Sequence, residues 1–179
     1  MIMLLNFLQG KEKLSPIPTW AMLLRSLIGG TLSIFVLMML TKWTGNLYIM
    51  APFGATCVIL YAVAQSPLAQ PRNVVLGHVV SAFVGLCMLK FVGIFEWSIA
   101  LAVGLSIVLM QILQCVHPPA GANPLVILLT APQINYEWSF LLYPVLLGSV
   151  SLVTIALCVN NFKSATKWPS HGLGLLKTK

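Results

Sequence analysis

The residues equipped for chemistry gather at two interruptions of an apolar chain, "PFGAT" at 52–56 and "HPPAGAN" at 117–123. Laying Pro52 over Pro119 pairs Gly54 with Gly121, Ala55 with Ala122 and Thr56 with Asn123, and sets Val58-Ile59 over Leu125-Val126. Each interruption opens a short apolar segment. The first backbone N–H groups of a helix lack partners and carry about half a positive charge. Glycine admits a ligand close to the backbone, and a Thr or Asn side chain either caps the helix or hydrogen-bonds the ligand. Two such ends facing one cavity make a site for a small anion, built from the backbone around Gly54 and Gly121 with Thr56, His117 and Asn123.

His117 stands immediately before Pro118-Pro119, which hold the backbone extended and stop a preceding helix. Its imidazole can donate to an anion or exchange a proton near neutral pH. The alternative is a ring bonded to a carbonyl freed by the break. His78 lies within a long apolar segment with no carboxylate nearby, and reads either as polar lining or as an interhelical packing residue. "SPLAQPRN" at 66–73 places Gln70, Arg72 and Asn73 around a proline-fixed turn suited to a mouth or gate. Arg25 reads as a side chain snorkelling to the interface. Cys57, Cys87, Cys115 and Cys158 show no CxxC spacing and read as small buried hydrophobes.

The acidic residues are Glu12, Glu96 and Glu137, none within an apolar span. Carboxylate proton relays and cages for metal cations therefore have no material, and neither GxSxG nor HExxH occurs. The expectation is a non-enzyme with no cofactor and no metal. The net charge of +7 does not point to nucleic acid, because the basic residues flank the apolar spans as the positive-inside rule expects.

These residues must be positioned by membrane helices. Hydrophobic residues form 59% of the chain and charged residues 7%, against about 50% and 25% in soluble domains, too few to cover a water-exposed surface. The fold class is an all-α membrane bundle of four long helices plus two short broken ones. The long spans are read at about 20–41, 73–95, 97–115 and 138–160, with Glu96-Trp97 at a tight hairpin. The short segments, about 53–64 and 121–131, are buried, because free backbone groups do not survive in lipid. Residues 1–16 form an N-terminal segment resembling a small interfacial helix without a signal-peptide pattern. Residues 17–162 form the transmembrane domain, and 163–179 a basic cytoplasmic tail.

The order long–short–long occurs twice, over about 20–95 and 97–160, which marks a transporter-like internal repeat. Six crossings make the repeats inverted and four make them parallel. Six is favoured because it lets both broken helices meet at mid-membrane. Gly77, Ser81 and Gly85 form a ridge of small residues, and Ala100 and Gly104 repeat its spacing. The ridge packs within the bundle or serves as the seam of a homo-oligomer.

"HPPAGANPL" at 117–125, with "PFGATCVILYAVAQSPLAQPRNVVLGH" at 52–78, resembles the HPP family of integral membrane proteins over about 25–160. The family's name is the motif carried here by His117, Pro118 and Pro119. The resemblance implies a bundle usually described with four transmembrane helices, and nitrite transport as implicated for members in cyanobacteria and plastids. Some relatives carry appended CBS domains, where this chain is expected to have only the tail "NFKSATKWPSHGLGLLKTK". With no plastid transit pattern, the expected location is a bacterial inner membrane, multi-pass, with both termini cytoplasmic.

The functional expectation is a transporter or channel for a small anion, nitrite first, with the bilayer as its other partner. A non-transporting sensor or partner-binding module is the alternative, and it predicts a centre filled by Phe53, Cys57 and Leu125. A membrane enzyme using His117 and Cys115 ranks third.

Overall fold

The computed structural model describes residues 16–46 and 48–171; the expected interfacial helix at the N-terminus and the end of the tail lie outside them. Among the described residues six α-helices follow in order: α1 Trp20–Thr44, α2 Ala51–Ala62, α3 Pro71–Phe91, α4 Glu96–Ile112, α5 Asn123–Thr130 and α6 Leu147–Asn161. Short 3-10 turns stand at Pro67–Ala69, Pro118–Ala122 and Trp138–Leu141. The chain is an all-α, multi-pass membrane bundle. Its outward faces carry large exposed side chains such as Leu27, Phe35, Val58, Leu105 and Leu129, as a protein dissolved in lipid requires.

Helix α1 starts where Thr19 Oγ1 accepts from the Met22 N–H at 3.4 Å, and stops at Gly45, whose φ of 71° fits the left-handed cap. Its buried residues are Gly29, Ser33 and Leu37, one narrow stripe at four-residue spacing. The stripe meets α2 through Tyr61: the ring lies against Gly29, and the hydroxyl bonds Ser33 Oγ at 2.6 Å. Helix α3 is the centre of the molecule. It packs against α4, α5, α6 and the Pro118–Ala122 turn, burying Val74, Gly77, His78, Ser81 and Gly85 on one face.

Two expectations need correction. Among the described residues three segments, not four, are long and apolar enough to span: Trp20–Thr44, Pro71–Phe91 and Trp138–Asn161. The span read at 97–115 is helical only over Glu96–Ile112. It ends in a Schellman cap, with the Cys115 N–H on the Met110 carbonyl at 2.8 Å and the Gln114 N–H on the Gln111 carbonyl at 3.0 Å. Gln114 takes the left-handed position at φ 52°. Pro118-Pro119 then demand an extended lead-in, so the helix has to stop early. The last span is interrupted too: Tyr143 is non-helical, at φ −124° and ψ 113°, beside Pro144.

The second correction concerns Gly77, Ser81 and Gly85, which are no free seam for a partner. A Cβ on Gly77 would lie 2.8 Å from His117 Cβ, and one on Gly85 would lie 3.0 Å from Pro124 Cα. The chain's own second motif fills that ridge. Ala100 and Gly104 are exposed instead, with nothing within 4 Å of a Cβ on Gly104.

Candidate functional site

The ridge on α3 lets residues 115–127 approach closely enough for side chains from both motifs to meet. Thr56 sits in the second turn of α2 and its Oγ1 donates back toward the Pro52 carbonyl at 3.1 Å. The same oxygen lies 2.8 Å from His78 Nε2 and 2.9 Å from His117 Nε2. On the far side of His78, Asn123 Nδ2 lies 3.1 Å from Nδ1 and donates to the His78 carbonyl at 3.0 Å and to Ser81 Oγ at 2.8 Å. His117 Nδ1 meets the Leu68 carbonyl at 2.9 Å. Thr56, His78, His117 and Asn123 are at most 1% exposed.

The backbone explains each position. Pro52 sits in the first turn of α2, where its missing N–H costs nothing. Pro118 and Pro119 play the same part in the 3-10 turn that leads directly into α5. Neither Thr56 nor Asn123 caps a helix: the α2 and α5 caps are Met50 and Ala122, without side-chain bonds. The capping alternative fails because both side chains turn inward to the histidines. His117 does bond a carbonyl, but Leu68 belongs to the Pro67–Ala69 turn rather than to the break.

Gly54 and Gly121 are not in this cluster. A Cβ on either would meet nothing within 4 Å. Neither lines the neighbouring groove of about 460 Å³, which is formed by Ala51, Pro52 and Ala55 from one motif and Pro118, Pro119 and Ala122 from the other. The cluster stands a single hydrogen bond (Thr56 to Pro52) or a single residue (Asn123 after Ala122) behind that wall.

The three residues read as a gate fasten chain segments. Gln70 is 3% exposed; its amide donates to the Ala64 and Ser66 carbonyls and its Oε1 accepts from the Ser170 and His171 N–H groups. Arg72 Nη2 holds the Leu113 carbonyl at 3.0 Å, and Asn73 Nδ2 holds that of Val116 at 2.8 Å, which pins the lead-in to His117. Arg25 borders a separate cavity of about 370 Å³ with Gln65, Ser66, Asn160, Ser164 and Thr166. Ser81, expected only as a packing residue, joins the cluster by accepting from Asn123 Nδ2, and its spacing from His78 puts both on one helix face.

The centre is filled. Phe53 is fully buried with its ring 5.0 Å from that of His78, and Cys57 is buried, while Leu125 is 36% exposed. The thiol of Cys115 is buried as well. Among the described residues no three His, Cys, Asp or Glu side chains are grouped to hold a metal ion.

Comparison with known proteins agrees with this architecture. The family model described as "HPP, transmembrane region" matches residues 15–169. Two transmembrane proteins of Dictyostelium discoideum are similar, one 38% identical over 69% of this chain and 41% of its own length, the other 40% identical over 66% and 43%. The chain thus spans less than half the length of these curated relatives. No solved structure matches it. With the family model covering nearly all of the described residues, the chain belongs to the HPP family of membrane proteins.

Proposed function

We propose that the chain is a membrane transporter or channel for a small anion, nitrite first, with the ion held at the N-termini of the two broken helices. A membrane transport or channel role is consistent with HPP membership. One observation carries the finer reading: both Pro–Gly motifs line a single groove, with Thr56, His117 and Asn123 immediately behind its wall. Gly54 and Gly121, in the same two motifs, leave open space beside their backbone. No acidic side chain among the described residues is buried, so nothing nearby repels an anion. The filled centre corresponds to a closed state, and Gln70, Arg72 and Asn73 hold the segments that must shift to open it. The repeats are inverted in this reading, with six crossings, cytoplasmic termini and a bacterial inner membrane as the setting.

A filled centre also favours the second reading, a non-transporting module that binds a ligand or partner. Anion uptake into liposomes separates the two. Nitrite, nitrate, formate and chloride are offered to the purified chain and to empty vesicles. Nitrite uptake above the empty vesicles supports transport; no uptake of any anion by folded, inserted protein supports the module.

A further inference from the structure

The polar cluster has a donor and acceptor order that its geometry fixes. A carbonyl only accepts, so His117 must carry a proton on Nδ1 to bond Leu68, and in the neutral ring its Nε2 is then a bare acceptor. That acceptor faces Thr56 Oγ1, whose single proton it shares with the Pro52 carbonyl. Thr56 Oγ1 in turn accepts from His78, which places the His78 proton on Nε2. His78 Nδ1 is then bare and faces the Asn123 amide, its nitrogen at 3.1 Å nearer than its oxygen at 3.4 Å, so that one of the two N–H donors is shared with Nδ1. Every link points the same way: Asn123 to His78, His78 to Thr56, Thr56 to His117, His117 to Leu68. Reversing it would set a bare His117 Nδ1 against a carbonyl oxygen.

Building on the anion reading, we infer that His78, Thr56 and His117 form a proton relay that carries one proton with each anion. A proton added at His78 Nδ1 releases the Nε2 proton to Thr56 Oγ1. The hydroxyl's own proton passes to His117 Nε2, and the Nδ1 proton of His117 leaves to a solvent water admitted at the partly exposed Ser66–Leu68 turn, since the Leu68 carbonyl accepts a hydrogen bond but no proton. One proton enters and one leaves; rotation of the rings and hydroxyl restores the starting order. Asn123, the first residue of α5, covers the entrance at His78 Nδ1, so movement of the broken helix beside the anion uncovers the relay. The chemistry calls for such a partner, because no fixed cation hydrogen-bonds the cluster. Arg72 is committed to Leu113, and the titratable side chains nearest in sequence on the packed segments are the thiols of Cys57 and Cys115. The proton passed along the relay balances the charge of the anion that crosses with it.

The test uses full-length protein in liposomes with a trapped pH dye, with and without a nitrite gradient, and with a potassium diffusion potential as a separate drive. Expected is internal acidification that accompanies nitrite uptake, slowed about a hundredfold by Thr56→Val and retained by Thr56→Ser, which keeps the hydroxyl. Size-exclusion profiles establish that both variants fold. If Thr56→Val does not fold, His78→Gln breaks the same chain and replaces it. Nitrite uptake without proton movement overturns the relay and leaves the anion reading standing. Thr56-dependent proton entry under the potential, without nitrite uptake, keeps the relay and overturns the anion reading. Neither flux overturns both.

Discussion

Gly77 is the position where packing of the fold and assembly of the site meet, and Gly77→Ala tests that directly. The added methyl would lie 2.8 Å from His117 Cβ and 3.0 Å from the Cys115 carbonyl oxygen, both attached to backbone that Arg72 and Asn73 pin in place. Overpacking of this kind costs about 1–3 kcal/mol, against a helix-propensity gain of up to about 1 kcal/mol for replacing glycine inside a helix. Gly54→Ala is the matched control: it gains the same propensity and its methyl meets nothing within 4 Å. The two variants therefore differ by about 2 kcal/mol, roughly a thirtyfold difference in the folded-to-unfolded ratio. Reversible unfolding in mixed micelles, followed by tryptophan fluorescence, measures it. Equal stability of Gly77→Ala and Gly54→Ala would refute the claim that residues 115–117 pack against α3 at this point.

Three further outcomes follow from the same contacts. Asn123→Leu removes the two N–H donors shared among the His78 carbonyl, His78 Nδ1 and Ser81 Oγ, and should destabilise the protein by about 2–4 kcal/mol in that unfolding assay, since each buried group left unpaired costs about 1–3 kcal/mol. Gln70→Ala releases Ser170 and His171 from their shared acceptor, so trypsin should cut after Lys167 faster than in the parent chain, as read by mass spectrometry. In detergent, maleimide should modify the exposed Cys158 rapidly and leave the buried Cys57 and Cys115 unmodified until the protein is denatured.

Much of this arrangement is legible in the chain itself, for physical reasons. Proline and glycine break helices whatever surrounds them, so the short segments beginning near Pro52 and Pro119 could be read directly. The early end of α4 was also encoded, in Pro118-Pro119 and the polar Gln111 and Gln114, but apolar Leu113, Cys115 and Val116 masked it in a hydropathy reading. Pro144 likewise marked the interruption before α6. What could not be read was which partner each polar side chain would choose. Thr56 and Asn123 are ordinary capping types, and only the close approach at Gly77 and Gly85 turns them toward the histidines. His78 read equally as lining or packing because its partners lie 22 and 45 residues away, and the Leu68 carbonyl carries no sequence signal at all.

The most direct test of the anion site is nitrite uptake into liposomes by Gly121→Leu beside Gly104→Leu. Both glycines leave open space for a side chain, but only Gly121 belongs to a motif lining the groove. The account predicts that Gly121→Leu blocks uptake while Gly104→Leu matches the parent chain. Full uptake by a folded Gly121→Leu protein would contradict the placement of the ion at the broken helices.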